Sequence, residues 1–296
     1  MTLSKGCDMG STYFLTHQRK TPSKKVLAKL LVLAKNQKIT VLIQDHRRGD
    51  DHLFSDFLRS DPEQIEQRIK EVQLWIAATK DKIAEYCADE DITVPEIEFE
   101  PIEGNNWVNL LVSFIRHRTD LLIVDATMNV RKLLPEMSKI SCDILLLGHQ
   151  YWASNIKTLC AIDPLHREDQ ECEIDMAVTA RGNWLSEQYG ARVSLIYCCY
   201  VAPYLMRYKA QILANQKKGL EEFIGKKHLQ SLPIHMPDGN PEEALPKAIS
   251  QMKANILIMG ACQRSATSRF WSGSTTDALL ESLPCDLLLV NKNRHD

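Results

Sequence analysis

The residues in this chain best suited to hold a ligand are glycines that close apolar runs, hydroxyl side chains at a helix start, and one well-placed carboxylate. Gly260 ends the run "ANILIM", and Gly273-Ser274-Thr275 opens a helical segment further on. A glycine lets the backbone come close to a ligand. Free N–H groups in the first turn of a helix, with the positive end of its dipole, suit an anion. Arg264, in the loop between, could add charge-assisted hydrogen bonds. Gln263 stands where a third glycine would make the loop more permissive. Its side chain blocks close approach or, in the other reading, offers its amide to a ligand. Asp163 follows the apolar run "IKTLCAI" and supplies a carboxylate at a strand end. A plainer reading stays open beside this one: Ser274 caps a helix and Gly273 makes a turn.

Other chemistries find little support. The chain has neither a Gly-x-Ser-x-Gly elbow nor a Walker loop ending in Gly-Lys-Ser/Thr. His235, in "LPIHMPDG", reads as a strand-end residue. The nine cysteines form no C-x-x-C pair, and with no export signal they read as reduced thiols that mostly serve as small core residues. Cys160, Cys172 and His166 have no diagnostic metal spacing. No catalytic residue and no metal ligand is assigned.

Composition narrows the partners. The 296 residues carry a formal net charge of −2, with 44% hydrophobic and 25% charged residues. That balance suits a globular protein with real cores and gives no electrostatic case for a nucleic-acid or anionic-membrane binder. The first residues lack the apolar core of a signal peptide, and no run is long enough for a transmembrane helix. A cytoplasmic location, with no nucleic-acid and no membrane partner, is the expectation.

The elements that must position these residues occur twice. "DLLIVDA" (120–126) precedes "SCDILLLG" (141–148), and "NILIMGA" (255–261) precedes "PCDLLLVN" (284–291). Upstream, "KITVLIQD" (38–45) matches "ARVSLIYC" (191–198). In the second half, strands over 156–163, 192–198, 255–259 and 286–290, with a short one in "LPIHM", alternate with helices near 170–189, 204–227, 241 onward and 274–282. Strands that are apolar throughout and alternate with helices indicate a parallel sheet in an α/β layer structure. The first half follows the same plan. It opens with the strand "TYFLT" and a helix starting at Ser23. A second helix from Pro62 carries the stripe Ile65, Ile69, Val72, Ile76, Thr79, Ile83 and Tyr86. A third places Trp107, Leu110, Leu111 and Phe114 inward.

The second half resembles a universal stress protein domain. Nucleotide-binding members carry Gly, two residues, Gly, nine residues, then Gly and Ser or Thr. The register here is Gly260, Gln263, Gly273, Ser274, so the outer positions fit and the middle glycine is replaced. Asp163 stands where the family places an acid that contacts the nucleoside. "DGNPEEALPKAI" and "PCDLLLV" also match, and the doubled layout resembles the tandem universal stress proteins of the E type. The implied fold is two tandem open parallel five-stranded sheets with flanking helices, of the universal stress protein and adenine-nucleotide α-hydrolase-like kind, arranged as a pseudo-dimer. The implied domains are 1–148 (degenerate), a linker over 149–155, and 156–296 with a partial nucleotide-binding motif.

Asp125 takes the place of Gly260 in the first half. The separation from Ala126 to Cys142 is 16, against 24 from Ala261 to Cys285. The shortfall removes the phosphate-loop region, and Asp125 would repel a phosphate. The first domain is therefore expected not to bind ATP. The second is expected to bind it weakly or not at all, at Asp163, Gly260, Gln263, Arg264, Gly273, Ser274 and Thr275, with ATP and magnesium the cofactors to test. The function implied is a stress-response protein acting through a ligand or partner. The alternatives are slow ATP hydrolysis, or binding of another small ligand such as a nucleotide-sugar or an apolar molecule. Pairing of the two halves through 143–147 and 286–290 would cover exposed edge strands, and a homodimer is a further expectation.

Overall fold

The computed structural model describes residues 11–17, 20–44, 62–102, 107–115, 121–126, 128, 142–165, 171–261, 274–282 and 284–291. The chain divides into two compact units, Met1–Asn129 and Val130–Asp296.

The first unit holds β1 (Thr12–His17), α1 (Lys24–Ala34), β2 (Ile39–Gln44), α2 (Pro62–Asp89), β3 (Ile97–Ile102), α3 (Trp107–Phe114) and β4 (Leu121–Asp125). Its strands run in the order β3-β2-β1-β4, all parallel. Ser23 caps α1: its side chain accepts the N–H of Val26 at 3.3 Å, satisfying one of the donors that a helix start leaves unpaired. One face of α1 then buries Val26, Leu27, Leu30 and Leu31. In α2 the buried line runs through Trp75, Thr79, Ile83 and Cys87 at steps of four, as one helix face requires. Ile69, which the stripe places inward, is 48% exposed, so the inward stripe starts later than the spacing predicts. Leu111 is fully buried in α3, whereas Leu110 is exposed, which corrects its inward placement. β3 escaped the sequence reading: "IEFEPI" alternates glutamate with apolar residues and contains Pro101, features of an edge strand.

The second unit holds β5 (Asp143–Leu147), β6 (Lys157–Ala161), α4 (Glu173–Tyr189), β7 (Arg192–Ile196), a 3-10 helix (Pro203–Tyr208), α5 (Lys209–Lys226), β8 (Ile234–His235), α6 (Pro241–Met252), β9 (Ile256–Gly260), α7 (Ser274–Ser282) and β10 (Asp286–Val290). The strand order is β5-β10-β9-β6-β7-β8. All neighbours are parallel except β5 with β10, which are antiparallel. The molecule is thus a mixed α/β structure with mostly parallel sheet and flanking helices. Gly190 ends α4 in the left-handed conformation, φ 66°, where glycine is favoured. Asn240 caps α6, and Glu242 and Glu243 complement its dipole.

The Cys-Asp pairs of the repeat fasten β5 to β10. Asp143 Oδ1 accepts the N–H of Asn291 at 2.9 Å, and Asp286 Oδ1 accepts the N–H of Gly148 at 2.7 Å. Each carboxylate thus ties down the chain just beyond the far end of the other strand, a local two-fold relation. Their second oxygens differ in partner. Arg181 pairs with Asp143, whereas Trp152 Nε1 donates to Asp286 at 2.6 Å. Both aspartates are buried, at 6% and 2% exposure, where an unpaired carboxylate would be costly. Gln150 Nε2 also donates to the Pro284 carbonyl at 3.0 Å, so the segment after β5 is pinned to the same end of β10.

Candidate functional site

In an open parallel sheet a crevice forms at the carboxyl ends of the strands where the chain reverses its direction of winding. In the second unit that point lies between β6 and β9. From β6 the chain moves outward to β7 and β8, then crosses back to β9 and β10. β6 and β9 are in register through Thr158↔Ile256 and Cys160↔Ile258. Residues just beyond these strands therefore face each other across the crevice: Asp163 after β6, and Gly260 with Ala261 at the end of β9.

Asp163 is exposed, and its backbone N–H is fixed by Asp175 Oδ1 at 2.9 Å. Asp175 sits in the first turn of α4 and is 2% exposed. The helix start that follows β6 is thus tied to the strand end by a buried carboxylate. β7 delivers Tyr197 and Cys198 beside Asp163. Burial raises the Tyr197 hydroxyl well above its usual range, and the negative charge of Asp163 adds to the effect. Burial pushes the Cys198 thiol up to about 11, with Cys199 and Asp163 contributing. These groups are therefore neutral at physiological pH and offer protonated, weakly polar surface. Beyond β7, Cys199 bridges to Asp238: its N–H donates to the Pro237 carbonyl at 2.9 Å and its carbonyl accepts from Gly239 at 2.9 Å. Gly239 has φ 116°, a turn conformation that glycine adopts readily.

Gly260 has a packing role. A Cβ built there would lie 3.0 Å from Ile174 Cγ2 and 3.2 Å from Cγ1. The first turn of α4 comes close to the end of β9, and an added Cβ would oblige the Ile174 side chain to give by a few tenths of an ångström. Ser274 is the first residue of α7 and Thr275 the second; Thr276 is buried at 1% exposure. Gln263, Arg264 and Gly273 lie outside the described residues, as does His166. Of the residues singled out from sequence, Asp163 and Gly260 thus flank one crevice, while Ser274 and Thr275 begin the helix that leads from β9 to β10. Asp175 and Tyr197 were missed. Both stand at element ends, Asp175 in a first turn and Tyr197 just past an apolar run.

The exposed carboxylates described just beyond these strand ends are Asp163, Glu173 and Asp238, while Asp175 is buried and engaged with the Asp163 N–H. Such a lip accepts hydroxyl or amine donors and repels phosphate. An anion would be held instead from the α7 side. Among the described residues no group of three or more metal-ligating side chains comes together. Cys160 is fully buried, its thiol pushed up to about 12 by burial, with Val178 O at 3.7 Å from its sulfur. It is a core residue. No described helix is long and apolar enough to cross a membrane.

Comparison with known proteins bears on the same segment. The model of the universal stress protein family matches residues 158–291. The chain is 21% identical over 166 residues to universal stress protein E of Photorhabdus laumondii, covering 52% of this chain and 53% of that one. It is 23% identical over 213 residues to the universal stress protein E homolog of Haemophilus influenzae, covering 67% and 66% respectively. The chain therefore spans between half and two thirds of these relatives' lengths. Among solved structures, a universal stress protein from Archaeoglobus fulgidus shares the fold with a TM-score of 0.59 at 14% identity, covering 96% of this chain and 97% of that one.

Proposed function

We propose that the chain works by binding a small ligand in the second unit, as part of a stress response, on the premise that residues 158–291, which match the universal stress protein family, form a domain similar to that of universal stress protein E. The observation that carries this reading is the crevice between β6 and β9. It opens at the point in the second unit where the strand order reverses, with exposed Asp163 on one lip and the start of α7 beyond the other. The crevice suits a ligand with a hydroxyl-bearing part near Asp163 and an anionic part toward Ser274 and Thr275. A nucleotide meets that description. The acidic lip and Gln263 both weaken phosphate binding, so ATP with magnesium is held weakly or not at all.

The first unit is proposed as a degenerate counterpart that completes the fold without binding ATP, with residues 1–148 and 156–296 as the two repeats joined by 149–155. Its support is the shared strand order, β3-β2-β1-β4 against β8-β7-β6-β9, together with the matched Cys-Asp pairs.

Native mass spectrometry of freshly purified protein tests the site. The proposal expects a small-molecule adduct on the wild type that is lost from Asp163→Asn while the variant stays folded. An adduct retained undiminished by Asp163→Asn would move the site elsewhere.

A further inference from the structure

The first unit has a second concavity, remote in kind from the crevice above. Both faces of a parallel sheet are usually apolar, because helices cover both. One face here obeys that rule: Phe14, Ile39 and Val41 are buried against α1 and α2. The other does not. Tyr13 pairs with Thr40, and Thr40 with Glu98, so these side chains form a polar row across β1, β2 and β3 on the same face. Glu100, two residues further along β3, points the same way. Beside it on the same face, Leu15, Leu42, Leu122 and Val124 are fully buried, so the polar side chains occupy the open corner toward β3.

Over this row lies a cavity of about 560 Å³, within the roughly 300–1,000 Å³ typical of small-molecule sites. Phe114, at the end of α3, forms one wall. Its ring stands 6.3 Å from that of Tyr13 at 60°, and Tyr13 Oη donates to the Phe114 carbonyl at 2.8 Å. That bond fixes the two rings as an aromatic wall. Lys38 at the rim is held by Glu98 at 2.5 Å and Glu96 at 3.5 Å.

The lining pairs aromatic faces with side chains that read hydroxyl groups. Carboxylates accept from hydroxyls, the ammonium donates to them, and Thr40 does both. Rings lie against the C–H face of a sugar. Two carboxylates outweigh one lysine that is already paired, which disfavours phosphates. We propose that this cavity binds a neutral saccharide of one or two rings, separately from any ligand of the second unit.

Saturation-transfer difference NMR on the full chain tests this with D-glucose, D-galactose, N-acetyl-D-glucosamine and maltose as probes. At least one should show saturated ring protons at millimolar concentration. Its affinity should fall about tenfold or more in the Glu98→Gln, Glu100→Gln double variant, and remain unchanged in Asp163→Asn. Both glutamates are exposed, so the double variant should keep the wild-type circular dichroism and melting temperature. Silence from all four sugars, a signal that survives the double variant, or one abolished by Asp163→Asn would each overturn the proposal.

Discussion

Strands β4 and β9 hold the same place in their units, each beside the strand that opens its repeat, yet they end in opposite chemistry. β9 ends in Gly260, onto which the first turn of α4 packs. β4 ends in Asp125, a carboxylate with only 3% exposure. The strand bodies, "LLIV" and "ILIM", remain interchangeable because burial asks only for apolar bulk. The ends answer to whatever must sit against them. A shared strand order therefore says little about a shared site, and the half with a glycine and an exposed acid at its switch point is where a ligand should be sought.

Importing the first unit's residue into the second should have the largest effect. Gly260→Asp crowds Ile174 and places a charge at a half-buried position, and should cost about 2–3 kcal/mol in urea unfolding. Gly260→Ala separates the steric part. It should cost about 1–2 kcal/mol on its own and cost less in an Ile174→Ala background, which lacks both crowded γ carbons. If Gly260→Ala proves neutral, the packing reason for the glycine fails and a ligand-only role returns. The reverse change, Asp125→Gly, should cost about 1–2 kcal/mol through a lost buried polar group and greater unfolded-chain freedom. It should create no nucleotide binding, because the loop that follows is eight residues shorter, 16 against 24.

A smaller, pH-dependent contrast concerns the thiols beside the crevice. Burial pushes the Cys198 thiol up to about 11 and the Cys160 thiol up to about 12, against about 8.5 for an unfolded thiol. Above that value the unfolded chain has lost protons that the folded chain keeps, so stability falls as pH rises. The loss should begin near about pH 8.5 and continue up to the folded values. Asp163→Asn removes a negative charge near Cys198. It should lower that thiol's pKa by a fraction of its elevation, since burial is the larger cause. Peptide-resolved alkylation rates against pH will show this, and an unchanged Cys198 profile would place Asp163 too far away to matter.

Much of this architecture was legible because it rests on runs. The strands of the second unit announce themselves by apolar blocks, the helix ending at Gly190 by its glycine, and the helix starting at Pro241 by its proline and first-turn glutamates. β3 was not legible: its alternating glutamates and Pro101 resemble a loop until the edge of a sheet is there to explain them. Ile69 and Leu110 fit a helical period and are nonetheless exposed, because periodicity shows which residues share a face but not where along the helix its neighbour stops. At the site, Asp163 and Gly260 could be read as strand-end residues. The tie from Asp175 and the neutral Tyr197 could not, since each depends on a partner distant in sequence or on burial. The Cys-Asp repeat was visible as a motif, but its use as a reciprocal fastening between antiparallel strands required the register.

The second unit is proposed to hold a nucleotide-like ligand in a crevice where Gln263 and an acidic lip weaken the hold on phosphate. Calorimetric titration of the wild type and Gln263→Gly with ATP and magnesium tests it most directly. The account predicts a wild-type dissociation constant weaker than about 100 μM and a gain of about tenfold or more in Gln263→Gly. Micromolar binding by the wild type, or no gain on restoring the glycine, would contradict it.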